Sequence, residues 1–203
     1  MLTATYTLVA MSVEQASVRI GLQSLRQMLH AYYLNQTTLS AEQVDYAASA
    51  MQRLHNACQW RKLDKFLIPA VRRATRLADD LLAELDALSV QASDAMAVST
   101  AFDGAIEEGA QADAFCAVLD TFCRVLLTRI EREERELFPL ARVAVPGEAW
   151  FALANQMLAH DAYLEEQRSA PAQPGGPRHR PRTAREPGAR PAPRPGVRVS
   201  TLH

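Results

Sequence analysis

The sequence predicts an all-α protein: an antiparallel (up-and-down) four-helix bundle built from two tandem helical hairpins, plus a short fifth helix and a disordered tail. Three observations lead to this prediction. Apolar residues recur at intervals of three and four rather than in alternation. Within residues 1–168 proline occurs only at positions 69, 139 and 146. The sequence around the first two of these prolines is repeated along the chain.

Four amphipathic segments account for the predicted bundle. Ser40 and Gln43 open the second segment with the spacing of a capping box, and a loop near 99–109 separates the third from the fourth. Pro146 lies near the start of the short fifth segment. The apolar stripes of the four long segments are Val18, Leu22, Leu25 and Leu29; Val44, Ala48, Met51 and Phe66; Leu77, Leu81, Leu85 and Leu88; and Phe115, Val118 and Phe122.

Composition divides the chain into a helical domain, residues 1–168, and a tail, residues 169–203. The tail holds eight of the eleven prolines and seven arginines against one acidic residue, Glu186. It has too little apolar surface to fold, so we expect disorder. An Arg-rich tail is compatible with nucleic-acid binding. However, no aromatic residue interleaves with the arginines as base stacking would require. We therefore expect no nucleic-acid partner and regard an unselected, frame-shifted extension as the favoured interpretation.

Several classes of protein are excluded by composition. No apolar run reaches the roughly 18 residues of a membrane span, and the N-terminus lacks the basic start of a signal peptide. Three cysteines, Cys58, Cys116 and Cys123, do not make a disulfide scaffold. No Gly-rich phosphate loop or paired-cysteine zinc pattern occurs. We therefore expect a protein of the reducing cytoplasm with no membrane contact.

An internal repeat organises the predicted bundle. Leu67-Ile68-Pro69 matches Leu137-Phe138-Pro139 at an offset of seventy residues. The same offset aligns the first and third helical segments, which supports two tandem hairpins. It also pairs Gln15 with Leu85, Gln59 with Arg129 and Leu63 with Glu133.

With this repeat, the segments CQWRKLDKFLIPAV, LLAELDAL and RIEREERELFPLAR resemble the hemerythrin-like (HHE) cation-binding domain, over about residues 10–168. The resemblance implies a four-helix bundle of two hairpins. In that family each hairpin supplies a His on its first helix and a His-x-x-x-Glu on its second, and the six side chains hold an oxo-bridged di-iron centre. Residues four apart share one helix face, so such a His and Glu reach the same metals.

The residues at the six family positions are mostly not ligands. Histidine is replaced by Gln15, Gln59, Leu85 and Arg129, and one glutamate is replaced by Leu63. Only Glu133 matches the family pattern. Leucine offers no lone pair, and a guanidinium does not deprotonate to become a ligand. We therefore expect no bound metal or other cofactor and no catalytic residues.

We expect a polar network in place of the metals, formed by Gln15, Gln59, Arg129 and Glu133, with Leu63 and Leu85 filling the remaining space. The charges of Arg129 and Glu133 cancel, and the two residues lie four apart on one helix. Plainer interpretations stay open. Gln15 closes a capping box with Ser12, Gln59 is a partly exposed polar residue at the bundle end, and Arg129 extends to solvent.

These expectations favour a non-enzymatic, metal-free binding or interaction module with a protein partner of unknown identity. The alternative is a functional metalloprotein that binds iron or dioxygen through a rearranged set: Glu133, Glu84, Glu14 and His55. A decayed copy with no role is a third possibility. Metal content separates the first two.

Overall fold

A computed structural model of the chain describes residues 2–59 and 61–169, with side chains through 166. The described part is all-helical and contains no strand; its one isolated β-bridge joins Leu39 to Ile106. No helix of this part is both long and apolar enough to cross a membrane. The α-helices are α1 (Leu2–Met28), α2 (Ala41–Gln59), α3 (Ile68–Ala74), α4 (Asp79–Ser99), α5 (Gly109–Arg132), α6 (Phe138–Ala144) and α7 (Gly147–Ser169).

The ends of several helices follow the sequence signals. Ser40 Oγ accepts the Gln43 backbone N–H at 3.3 Å, and Gln43 Oε1 accepts the Ser40 N–H at 2.9 Å, so the predicted capping box forms. The loop between α4 and α5 lies where the sequence predicts it. Within the third apolar stripe, Leu77 is exposed because α4 begins only at Asp79.

The predicted short fifth helix is wrong in its length. The helix α7 has 23 residues and is comparable to α4 and α5. No proline interrupts the sequence between Pro146 and Pro171, so nothing ends the helix early. The sequence predicts an apolar stripe of Trp150, Leu153, Met157 and Leu164 on this helix; the first three are buried, but Leu164 is exposed. The predicted disorder of the tail lies outside the described residues, apart from Ser169, which ends α7.

Besides a π-helical turn at Leu29–Tyr33, two π-helical turns repeat along the chain, the first at Leu63–Leu67 and the second at Glu133–Leu137. Each of these two leads into a short α-helix, α3 or α6, whose second residue is proline. Proline lacks the N–H and collides with the carbonyl four residues back in a regular α-helix. A wider turn directly before each proline lets the helix continue. The Ile68 N–H accordingly bonds to the Leu63 carbonyl, and the Phe138 N–H to the Glu133 carbonyl. The backbone therefore repeats with the same offset of seventy residues as the sequence.

The buried apolar residues form two clusters, with a polar layer between them. One cluster joins the C-terminal halves of α1 and α4 to α2 and α5. The other joins the N-terminal halves of α1 and α4 to α3, α6 and α7. On three segments a buried polar residue lies between the clusters. Gln15 lies between Met11 and Val18, Arg61 between Cys58 and Leu63, and Glu133 between Ile130 and Leu137.

Candidate functional site

The polar layer is centred on Glu133, the first residue of the second π-helical turn. Its side chain is fully buried. Arg61 Nη1 donates to Glu133 Oε2 at 2.7 Å, and Arg61 Nη2 donates to Oε1 at 2.7 Å. Gln15 Nε2 donates to Oε2, also at 2.7 Å. Both carboxylate oxygens therefore accept short hydrogen bonds, two of them from a guanidinium, so the buried carboxylate has its hydrogen-bonding partners.

Arg61 is held by more than Glu133. It follows the end of α2, and its Nε lies 3.3 Å from the Cys58 carbonyl. Nε and Nη2 also reach Asp64 Oδ2, at 3.2 and 3.1 Å. Burial alone lowers the pKa of Arg61, but the charge and hydrogen bonds of Glu133, together with Asp64, outweigh it and raise the pKa. The guanidinium is therefore a fixed buried cation.

Asp64 links the two arginines of the cluster. Its Oδ1 accepts a hydrogen bond from Arg129 Nη2, and its Oδ2 accepts one from Arg61 Nη2. Arg129 Nε lies 3.2 Å from Glu133 Oε1, close enough for an ion pair but not aligned for a hydrogen bond. Two guanidiniums thus balance two carboxylates, so the layer is electrically neutral. We call Arg61, Asp64, Arg129 and Glu133, with Gln15, the charge cluster.

The six residues that the sequence aligns with the metal-ligand positions of the resembled family lie in three different surroundings. Gln15, Arg129 and Glu133 are buried in the charge cluster. Leu63 and Leu85 are buried in the apolar cluster next to it. Gln59 is exposed and lies outside the charge cluster, with its Nε2 3.3 Å from His55 Nε2. The predicted network is therefore wrong in one member, because Gln59 lies on the outer side of α2.

The plainer interpretations of Gln15 and Arg129 are also wrong. Helix α1 begins at Leu2, so Gln15 lies deep inside the helix and does not cap it. Ser12 Oγ instead donates to the Leu8 carbonyl at 3.0 Å. The Arg129 side chain is only 6% exposed and does not extend to solvent.

Arg61 and Asp64 were not among the predicted site residues. The repeat aligns them with Glu131 and Glu134, which gives no indication of burial. The spacing along α2 nevertheless indicates that Arg61 is buried. Buried residues on α2 recur at Val44, Ala47, Met51 and Cys58, and Arg61 follows Cys58 by three. This spacing continues the buried stripe onto an arginine, which then requires an acidic partner.

The rearranged metal set is spread over separate contacts. Glu14 Oε2 accepts the Lys62 backbone N–H at 2.9 Å, and Glu84 pairs with Arg132. His55 lies against Ser93 and Phe122. Within residues 2–59 and 61–169 no three His, Cys, Asp or Glu side chains are grouped as a metal site would need.

The residues present also do not fit a di-iron group. Glu133, the one residue that matches the pattern of the resembled family, has both oxygens bonded to other side chains. Two permanent cations, Arg61 and Arg129, lie beside its carboxylate and oppose the approach of a metal cation.

A surface cleft of about 400 Å³ opens beside the charge cluster, between α2, α4 and α5. Burial lowers the pKa of His55, so its imidazole is neutral near pH 7. Burial also raises the pKa of Cys58, whose thiol is therefore protonated. The lining residues are His55, Cys58, Gln59, Asp64, Ser89, Ala92, Ser93, Leu126 and Arg129.

No family model, curated protein or solved structure matches the chain.

Proposed function

We propose that this chain is a hemerythrin-like antiparallel four-helix bundle, built from two tandem hairpins, that has lost its di-iron site and acts as a metal-free, non-enzymatic binding or interaction module. Two facts support the bundle. The long helices pack pairwise, α1 on α2 and α5, and α4 on α2 and α5. The π-helical turns before Pro69 and Pro139 recur at the offset of the sequence repeat. Three buried free cysteines fit a reducing compartment such as the cytoplasm.

One observation carries the metal-free assignment: Glu133 is bound on both oxygens by Arg61 and Gln15 and lies beside Arg129. An iron ion would have to displace these donors and then face two guanidinium groups. The equivalent position of the first repeat is Leu63, and the carboxylate of the next residue, Asp64, is bound by Arg61 and Arg129.

The test is metal content and thermal stability. Protein purified from iron-replete cells should contain no stoichiometric iron. Its melting temperature should be unchanged by ferrous iron or by chelator, because a ligand stabilises a fold only by binding it. An oxo-bridged iron absorption band, or a rise of several degrees with iron, would establish the alternative metalloprotein instead.

A restoring variant tests the resemblance itself. Gln15→His, Gln59→His, Leu63→Glu, Leu85→His and Arg129→His together recreate the family pattern around Glu133, and Arg61→Leu frees the Glu133 carboxylate from the second guanidinium. If the aligned positions are right, this variant should bind iron and show the oxo-bridged band. The matched control keeps Arg61 and Arg129 and should bind none, because both guanidiniums stay in the site. A folded restoring variant without iron would contradict the family assignment.

The cleft beside the charge cluster is the proposed binding surface for a small, uncharged molecule with an apolar body and one polar end. Its apolar wall includes Ala92 and Leu126, and its polar groups carry no net charge because Arg129 is paired with Asp64. Its volume is within the range of small-molecule sites.

Three probes of the same shape distinguish the ligand class: benzamide, benzoate and benzylamine. In protein NMR titrations, benzamide should shift the signals of His55 and Ser93 at millimolar concentration, and the two charged probes should shift them less. Ala92→Leu fills the cleft and should abolish the effect, whereas Ala87→Leu, at an exposed position of the same helix, should not. Equal responses of the two variants, or no response to benzamide, would contradict the proposed site.

A further inference from the structure

The helix α1 has a second apolar face, which points away from the core. Its inward face carries Met11, Val18, Leu22 and Leu25. The outward residues recur at alternating intervals of four and three, which is the spacing of a coiled-coil seam. We call this set the α1 seam; it consists of Leu2, Tyr6, Val9, Val13, Ala16 and Ile20.

The α1 seam is exposed and uncharged. Leu2 is 90% exposed, Tyr6 68%, Val9 54%, Val13 66% and Ile20 63%. The charged residues of α1, which are Glu14, Arg19 and Arg26, all lie at partly buried positions. A helix that faces water normally carries charged residues on its outer side. A continuous apolar stripe there indicates an interaction surface.

The area of the α1 seam is sufficient for a dimer. A large side chain presents roughly 150–200 Å² when fully exposed, so the five large residues offer roughly 600 Å² per copy. Complete burial of two such faces removes at most roughly 1,200 Å² from solvent, which reaches the lower end of specific interfaces.

We propose that the α1 seam packs against the same seam of a second copy of this chain, with the two helices antiparallel. The sequence of residues 170–203 is rich in proline and arginine and poor in large apolar residues, so a second copy of the chain is the occupant that we propose. A self-complementary face forms a closed two-fold dimer.

The antiparallel direction follows from side-chain size and from the helix dipoles. It places Tyr6 opposite the partner's Ala16, Leu2 opposite the partner's Ile20 and Val9 opposite the partner's Val13. The largest side chain of the seam, Tyr6, then meets the smallest, Ala16, whereas parallel helices would place Tyr6 against its own copy. Antiparallel helix dipoles attract each other as well.

Sedimentation equilibrium of the full chain tests the dimer. The unaltered protein should be dimeric at micromolar concentration. Val9→Lys should raise the dissociation constant at least about tenfold, because two desolvated ammonium groups oppose the interface. The matched control is Val90→Lys on α4, where the valine is 59% exposed against 54% for Val9. It should leave the dissociation constant unchanged.

Charge pairing tests the direction. In the double variant Val9→Lys and Val13→Glu, antiparallel helices place each introduced ammonium opposite an introduced carboxylate of the partner, so dimerisation should recover relative to Val9→Lys. Parallel helices place like charges together and give no recovery. A monomeric unaltered protein, a dimer insensitive to Val9→Lys, or a double variant as weak as the single one would overturn the proposal. Unchanged far-ultraviolet circular dichroism shows that each variant is folded.

Discussion

The guanidinium of Arg61 and the carboxylate of Glu133 meet edge to edge, with two hydrogen bonds of 2.7 Å between residues 72 apart in the sequence. Arg61 follows the end of α2, and Glu133 begins the second π-helical turn. The pair therefore joins the two sequence repeats at their equivalent helices. Parallel hydrogen bonds of this kind are the strongest that side chains form.

Breaking this pair from one side should be costly. We expect Arg61→Met or Glu133→Leu alone to lower the free energy of unfolding by about 3–5 kcal/mol, because each leaves a buried charge without its partner. The double variant should lose much less than the sum, because both charges are removed and an apolar pair of similar volume remains.

Urea unfolding followed by circular dichroism measures these losses. The exposed pair Arg72 and Asp86, at 2.6 Å, is the control; Arg72→Met should cost about 1 kcal/mol or less. Additive losses for Arg61→Met and Glu133→Leu would show that the two charges do not depend on each other.

Gln15 provides a second measure of the charge cluster. Its Nε2 donates a hydrogen bond to Glu133, but its Oε1 is buried and has no hydrogen bond among the described residues. Gln15→Met removes both groups, so we expect a loss of only about 1 kcal/mol. Gln15→Glu adds a buried carboxylate beside Glu133 and should cost about 3 kcal/mol or more near neutral pH.

The pH dependence of these two variants separates charge from packing. The penalty of Gln15→Glu should shrink as the pH is lowered, because the introduced carboxyl group becomes neutral by taking up a proton. A penalty that is the same at neutral and acidic pH, or equal to that of Gln15→Met, would show that charge repulsion is not its cause.

His55 should make the folded state less stable as the pH falls. Burial lowers the pKa of its imidazole below the ordinary 6.5, so the unfolded chain binds that proton at a higher pH than the folded chain. The unfolded state binds more protons in this interval, and stability therefore rises with pH. The loss begins as the pH falls through the unfolded value and levels off below the folded value. The urea midpoint of His55→Gln should fall less than that of the unaltered protein between about pH 7.5 and about pH 5.5; equal falls would contradict the shift.

The three cysteines should be unreactive in the folded protein. Burial raises the pKa of Cys58 and Cys116, and raises that of Cys123 to about 12. The thiolate is the reactive form, so little of it exists near neutral pH. Labelling with a disulfide reagent should be slow in buffer and should reach three thiols per chain in denaturant. Rapid labelling of any one cysteine in the native protein would show that local unfolding exposes its thiol to solvent.

The spacing of apolar residues was enough to predict the helices and the burial of Leu63 and Leu85, and the Ser-x-x-Gln pattern was enough to predict the capping box of Ser40 and Gln43. These features depend on residues near one another in the chain or on one face of one helix. Spacing also predicted Glu133 beside Arg129, because residues four apart are neighbours on any helix. It did not predict the length of α7, because the spacing of apolar residues indicates which side of a helix is buried and not where the helix ends.

Only the tertiary structure decided which partners complete the charge cluster. Arg61 and Asp64 reach Glu133 and Arg129 from the segment that follows α2, and no local pattern specifies which segments meet or at what height. Gln59 shows the converse: the repeat equates it with buried Arg129, yet it is exposed on α2. The spacing of residues along a helix determines which of them share a face. The packing of the helices determines what that face contacts. The charge balance of this core depends on the packing.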